Sequence, residues 1–358
     1  MTKFFTPDIL SLLAVVIAYL LSLVLDSAIF SFGIMIAGFL LCLYSCVSND
    51  AIQTLGTFLN TTKERPVWQI WLYVTAVMVV TFVTGWIVND GDMAFGRLDQ
   101  IPHAGTFYWW HLLPPLVLLW LTRKGVPVAT AFLIVSVFSS TTVVGLMVMK
   151  SFVGYFTALI ASLILYFIIA RRVEKAFLYL KNKPIPKGWI VAKWLSTGFL
   201  WSAWLLQDGA VLYIYLPRKE DFGFVPMVLS LTAFAALLFV LCYKRGGEIQ
   251  NIVKLKTNTQ DVRSATIIDC VYALILLYFQ NVNNIPMSTT WVFLGVLAGR
   301  EIALYNRLRF ITEKKVYKHL LKDITKAVLG LIVSIAVVFI LNNHEHIIKV
   351  MLDYIQLH

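Results

Sequence analysis

Apolar residues arrive in runs of about twenty along the whole chain, divided by short polar stretches. The runs lie near 9–25, 28–47, 67–88, 106–121, 127–149, 151–170, 190–207, 224–243, 264–280, 286–305 and 326–342. A helix needs roughly 20 apolar residues to span hydrocarbon. Only helices and closed barrels satisfy their backbone there, and barrel strands would alternate apolar with polar. These runs are continuous. The pattern therefore predicts an all-α polytopic membrane protein with about eleven transmembrane helices. The first run has no small-residue cleavage site and only Lys3 ahead of it, so it is expected to be a retained helix.

Composition agrees. The 358 residues are 59% hydrophobic and 14% charged, against about 25% charged in a soluble domain. Mean hydropathy is +0.79. The net charge of +11 is a matter of placement. Lys and Arg gather in the stretches 61–66, 122–124, 171–187, 244–263 and 307–326, which with Lys3 hold 23 of the 30 basic residues. The alternate stretches 89–105, 217–223 and 281–285 are acidic or neutral. This alternation follows the positive-inside rule. It predicts a cytoplasmic N-terminus, an external C-terminus and a plasma (inner) membrane setting, with no role for nucleic acid. The stretch 306–326 could lie as a basic helix on the membrane surface. The cysteines Cys42, Cys46, Cys242 and Cys270 all lie in apolar runs without a metal-ligand spacing, so they read as buried packing residues.

Polar residues inside the runs are the informative exceptions. Asn49 and Asp50 end the second run, in "CVSNDAIQTLG". Gln207 and Asp208 stand in the same position in "WLLQDGAVLY". A carboxylate in hydrocarbon costs several kcal/mol unless it is neutralised. A second feature also occurs twice: a proline followed by small hydroxyl residues opens the run "VPVATAFLIV" and the run "IPMSTTWVFLG". Asp50 precedes Pro127 by 77 residues, and Asp208 precedes Pro286 by 78. Corresponding loops of the two halves carry opposite charge bias. That predicts two inverted-topology repeats with broken helices near the midplane. The expected divisions are an extra helix over 1–27, a first repeat over 28–170, a basic linker over 171–189, a second repeat over 190–342 and an external tail over 343–358.

These residues resemble the inorganic phosphate transporter family of phosphate carriers and sulfate permeases. "SNDAIQTLG" is similar to its Gly-Ala-Asn-Asp motif, and "PMSTT" to its Pro-Val-Ser-Thr-Thr-His motif. The likeness spans roughly residues 40–300. The chain departs from the family at Gln207, at Ala129, Ala131 and Phe132, and at Trp291, which stands where the family has His. The resemblance implies a carrier of phosphate, or next of sulfate.

The residue chemistry points the same way. A helix N-terminus offers free N–H groups and partial positive charge to an anion. Ser288, Thr289 and Thr290 follow Pro286 there, with Thr130 expected from the other half; these are the predicted substrate-binding residues. Asp50 and Asp208 would repel an anion unless cations neutralise them. With Asn49 and Gln207 they form the expected ion-coupling set, and the two aspartates would hold sodium if sodium is the coupling ion. Protons are the alternative. No other cofactor is implied, and a homodimer is compatible with the reading. Asp269 and His111, 158 residues apart, could belong to a proton path, and Arg300 with Glu301 to an interface pair. No G-x-S-x-G, Walker A or H-E-x-x-H pattern occurs, so no enzyme is expected. The competing class is a non-transporting membrane sensor or assembly subunit on a degenerate transporter scaffold.

Overall fold

A computed structural model describes residues 16–22, 24–124, 126, 128–174, 176–177, 180, 184–245, 261–308 and 313–343. Residues 9–15 and 23 of the first apolar run, Pro127, residues 246–260 of the fourth basic stretch, parts of the 171–189 linker and the tail after Asn343 lie outside the described residues. Every regular element within them is helical. In chain order they are α1 (Ser27–Thr61), α2 (Val67–Val88), α3 (Leu113–Arg123), α4 (Thr130–Ile134), α5 (Thr141–Ile169), α6 (Lys187–Tyr213), α7 (Phe224–Tyr243), α8 (Val262–Val282), α9 (Thr289–Leu308) and α10 (Glu313–Asn342). Short 3-10 turns at Trp109–Leu112 and Val135–Phe138 extend α3 and α4.

Local chemistry sets the ends. Asp26 caps α1 by accepting from the Ala28 N–H at 2.9 Å, and Asp261 caps α8 by accepting from the Arg263 N–H at 2.8 Å. Pro66 and Pro186 stand immediately before α2 and α6. Among the described residues, six stretches are long and apolar enough to cross a membrane: Ser27–Ala51, Val67–Val88, Thr141–Ile169, Phe224–Tyr243, Val262–Val282 and Leu321–Leu341. The chain is a multi-pass integral membrane protein.

Three expectations about helix boundaries change. Asn49 and Asp50 do not end a helix; they lie inside the 35-residue α1. The carboxylate has enough donors around it that the backbone need not break. The runs 127–149 and 151–170 are not two spans. One helix of 29 residues covers Thr141–Ile169, with Lys150 inside it. Lys150 is tolerated because its Nζ donates to the carbonyls of Asn283 at 3.0 Å and Ile285 at 2.7 Å. Finally, residues 313–326 form no separate surface helix but are the first turns of the 30-residue α10.

α1 packs on α6, α3 and α7, while α6 packs on α8, α2 and α1. The most extensive contact joins α5 to α9, and α10 covers α4. Gly295 and Gly299 let α9 approach closely: a Cβ at either would strike the carbonyl of Tyr155 or of Leu159 on α5. Small residues four apart are a common means of bringing membrane helices backbone to backbone.

Candidate functional site

Asp50 is 1% exposed. Its Oδ1 accepts from Asn49 Nδ2 at 3.0 Å, Gln53 Nε2 at 3.2 Å and Thr290 Oγ1 at 3.1 Å. Its Oδ2 accepts from Thr130 Oγ1. Asp208, buried in α6, accepts from Thr289 Oγ1 at 2.8 Å through its own Oδ2. Thr289 and Thr290 are adjacent, so a single peptide unit joins the shells of the two carboxylates. The Asp–Thr pair also occurs twice at matched spacing, 80 residues for Asp50 and Thr130 and 81 for Asp208 and Thr289.

The backbone explains the placement. Thr130 and Thr289 are each the first residue of a helix, α4 and α9, entered from a segment outside regular structure. The segment before α9 carries Pro286, which cannot extend a helix backwards. Ser288 has a different task. Its N–H donates to Ser151 Oγ at 2.8 Å, and its own Oγ accepts from the Trp291 N–H at 3.2 Å. It caps α9. Asn49 also donates to the Val128 carbonyl at 3.1 Å, and Gln207 Nε2 donates to the Leu276 carbonyl at 2.6 Å. All eight residues singled out from the sequence, Asn49, Asp50, Thr130, Gln207, Asp208, Ser288, Thr289 and Thr290, are at most 5% exposed. The arrangement is closed, and its threonine protons go to the aspartates.

Two cations flank this centre that sequence reasoning did not select. Arg97 belongs to the 89–108 segment, whose turn Asp92 holds by accepting from the N–H groups of Ala94 at 2.7 Å and Gly96 at 2.5 Å. Its guanidinium is 1% exposed and donates from Nε to the Leu206 carbonyl at 2.8 Å and from Nη1 to the Ile285 carbonyl at 3.5 Å. Burial pushes Arg97 down to about 10, against an opposing pull from the nearby Asp208 carboxylate, so it stays charged at neutral pH. Lys150, 6% exposed, reaches the same Ile285 carbonyl from α5. A polar segment between apolar runs offers no sign that its arginine turns inward, and Lys150 looks like a span boundary.

A second buried cluster lies apart from the first. Lys193 Nζ is 2.6 Å from Asp269 Oδ2, and both side chains are at most 2% exposed. Thr57 donates to Asp269 Oδ1 at 3.0 Å, and Thr197 to Oδ2 at 3.0 Å. Asp269 thus joins a lysine rather than His111. The His111 ring instead stacks 5.2 Å from Phe138, and its carbonyl accepts from the Tyr215 hydroxyl at 2.5 Å. Arg300 lies 3.7 Å from Glu174 and 5.6 Å from the Tyr166 ring centre, away from the central carboxylates. Lys193 is a cation just inside an apolar run, near the start of α6, where the positive-inside rule already accounts for lysine.

Among the described residues, no group of three or more His, Cys, Asp or Glu side chains could hold a metal ion. No protein-family model, no curated protein and no solved structure matches the chain. The likeness to phosphate carriers therefore rests on the motifs alone.

Proposed function

We propose that the chain is a secondary transporter of a small inorganic oxyanion, phosphate first and sulfate second, coupled to sodium or protons by alternating access. The observation that carries this reading is the duplicated Asp–Thr pair, crossed by the hydrogen bond from Thr290 to Asp50. It supports two inverted repeats meeting at one buried polar centre. Helix packing supports the same pairing: exchanging α1 with α6, α2 with α7, α3 with α8, α4 with α9 and α5 with α10 turns most of the observed contacts into one another, the contacts of α8 with α5 and with α1 being the exceptions. Transporters built this way bind at the repeat interface. On this reading the N-terminus is cytoplasmic, the membrane is the plasma membrane, and the 89–108 segment is external. Asp50 and Asp208 bear the coupling cation, whether sodium held with amide oxygens from Asn49 and Gln207 or a proton on each carboxyl.

Uptake of labelled phosphate and of sulfate into proteoliposomes tests the reading, with a sodium gradient, a proton gradient or neither. Gradient-dependent accumulation that Asp208→Asn abolishes is the expected result. No uptake of either anion by folded protein would favour the non-transporting sensor or subunit, to which the closed centre and the hydroxyls missing at Ala129 and Ala131 also lend support.

A further inference from the structure

We propose that the anion binds between Arg97 and Lys150, over the backbone of 283–288, rather than on the threonine hydroxyls. This deepens the oxyanion-carrier reading and rests on it for the anion's role. Three observations carry it. The hydroxyls of Thr130, Thr289 and Thr290 already donate to carboxylates, so their protons are spent. A site lined by two aspartates attracts cations, not anions. The two buried cations, by contrast, lack an ion-pair partner: among the described residues no carboxylate lies within 4.0 Å of either, and their hydrogen bonds go to carbonyl oxygens.

Two like charges converging on one carbonyl oxygen, both more than nine-tenths buried, are costly without a counter-charge. The carbonyls of Leu206, Asn283 and Ile285 are replaceable partners, one of them at 3.5 Å. A tetrahedral oxyanion would replace them with charge-assisted bonds, for which the guanidinium fork and the ammonium are well suited. Asp208 supplies the link to coupling. It is the carboxylate whose field Arg97 feels. While Asp208 is bare, its charge partly cancels that of Arg97. A sodium ion or proton on Asp208 removes that cancellation and strengthens the anion site, so cation and anion load together.

The test is direct binding, by calorimetry and thermal shift, of inorganic phosphate and of sulfate to purified full-length protein in detergent, with chloride at matched ionic strength as control. Phosphate or sulfate binding is expected. Lys150→Gln and Arg97→Gln should each weaken it by about tenfold or more, the scale of one charge-assisted bond. Lys150→Arg should keep most of the affinity, which controls for folding. Wild-type affinity in Lys150→Gln, or no binding of either anion by folded protein, overturns the proposal. Binding that depends on Lys150 without uptake in liposomes would sink the transport reading and leave this site standing. Uptake indifferent to Lys150→Gln would do the reverse.

Discussion

Two of the molecule's buried acidic clusters are balanced differently. Asp269 carries its own counter-charge: Lys193 contacts it at 2.6 Å, and Thr57 and Thr197 complete its shell. Asp50 and Asp208 have hydroxyl and amide donors but no lysine or arginine within 4.0 Å among the described residues. A carboxylate paired within the chain is a fixed structural element. A pair of carboxylates left to neutral donors has room for a charge that arrives and leaves. The cluster with the complete ion pair therefore reads as scaffold, and the one without it as the working site. α1 and α6 bear residues of both, Thr57 with Asp50 and Lys193 with Asp208, so any motion at the centre occurs on helices pinned near Asp269.

The strongest way to break the comparison is to remove one member of the closed pair. Lys193→Met leaves Asp269 buried and unpaired, at a cost of about 3–5 kcal/mol. Its melting temperature should fall steeply. Lys193→Met combined with Asp269→Leu should recover most of the loss, because two apolar groups replace two charges. A single variant as stable as wild type would mean the pair is not a structural lock.

The central pair should behave in the opposite way. Asp208→Asn keeps the shape and removes a charge with no ion-pair partner in contact, so stability should change by no more than about 1 kcal/mol. Cation dependence of uptake should disappear. A melting curve displaced as far as that of Lys193→Met would place Asp208 in the scaffold and erase the distinction.

Legibility in the sequence followed the same division. A carboxylate inside an apolar run is conspicuous because hydrocarbon forbids it, so Asp50 and Asp208 stood out, as did the hydroxyls at 130 and 288–290. The structure brings those residues together. The cations were hidden for physical reasons. Lys193 stands near a helix start, where the positive-inside rule already accounts for lysine. Lys150 interrupts an apolar run and reads as a boundary, because only tertiary contact with the 283–285 carbonyls makes it acceptable inside a helix. Arg97 lies in a hydrophilic stretch that would ordinarily face water. The length of α1 was missed for the converse reason: Asn49 and Asp50 read as a helix end until Thr130 and Thr290 supply partners from elsewhere in the chain.

A smaller effect separates the two halves of the centre. Thr130→Val and Thr289→Val each remove one donor from a buried carboxylate and should cost about 1–3 kcal/mol. Asp50 retains Thr290, Asn49 and Gln53, whereas Thr289 is the one hydrogen-bond donor to Asp208 among the described residues. Thr289→Val should therefore be the more damaging of the two in thermal unfolding. Equal losses would mean that Asp208 gains other donors in solution.

The smallest expected effect falls on Ser288, and it bears on what the hydroxyl motif is for. As an anion donor, Ser288 would matter to binding and little to stability. As the cap of α9 it would do the opposite. Its oxygen accepts from the Trp291 N–H at 3.2 Å, and its N–H is taken by Ser151. Ser288→Ala should accordingly lower stability by about 0.5–1 kcal/mol while leaving phosphate affinity unchanged in calorimetry. Ser288→Asp restores an acceptor at the cap but adds negative charge three residues from Ile285, whose carbonyl Arg97 and Lys150 both contact. It should regain the stability and lose anion affinity. A Ser288→Ala protein that melts like wild type but no longer binds phosphate would return the anion to the hydroxyls and make Arg97 and Lys150 bystanders.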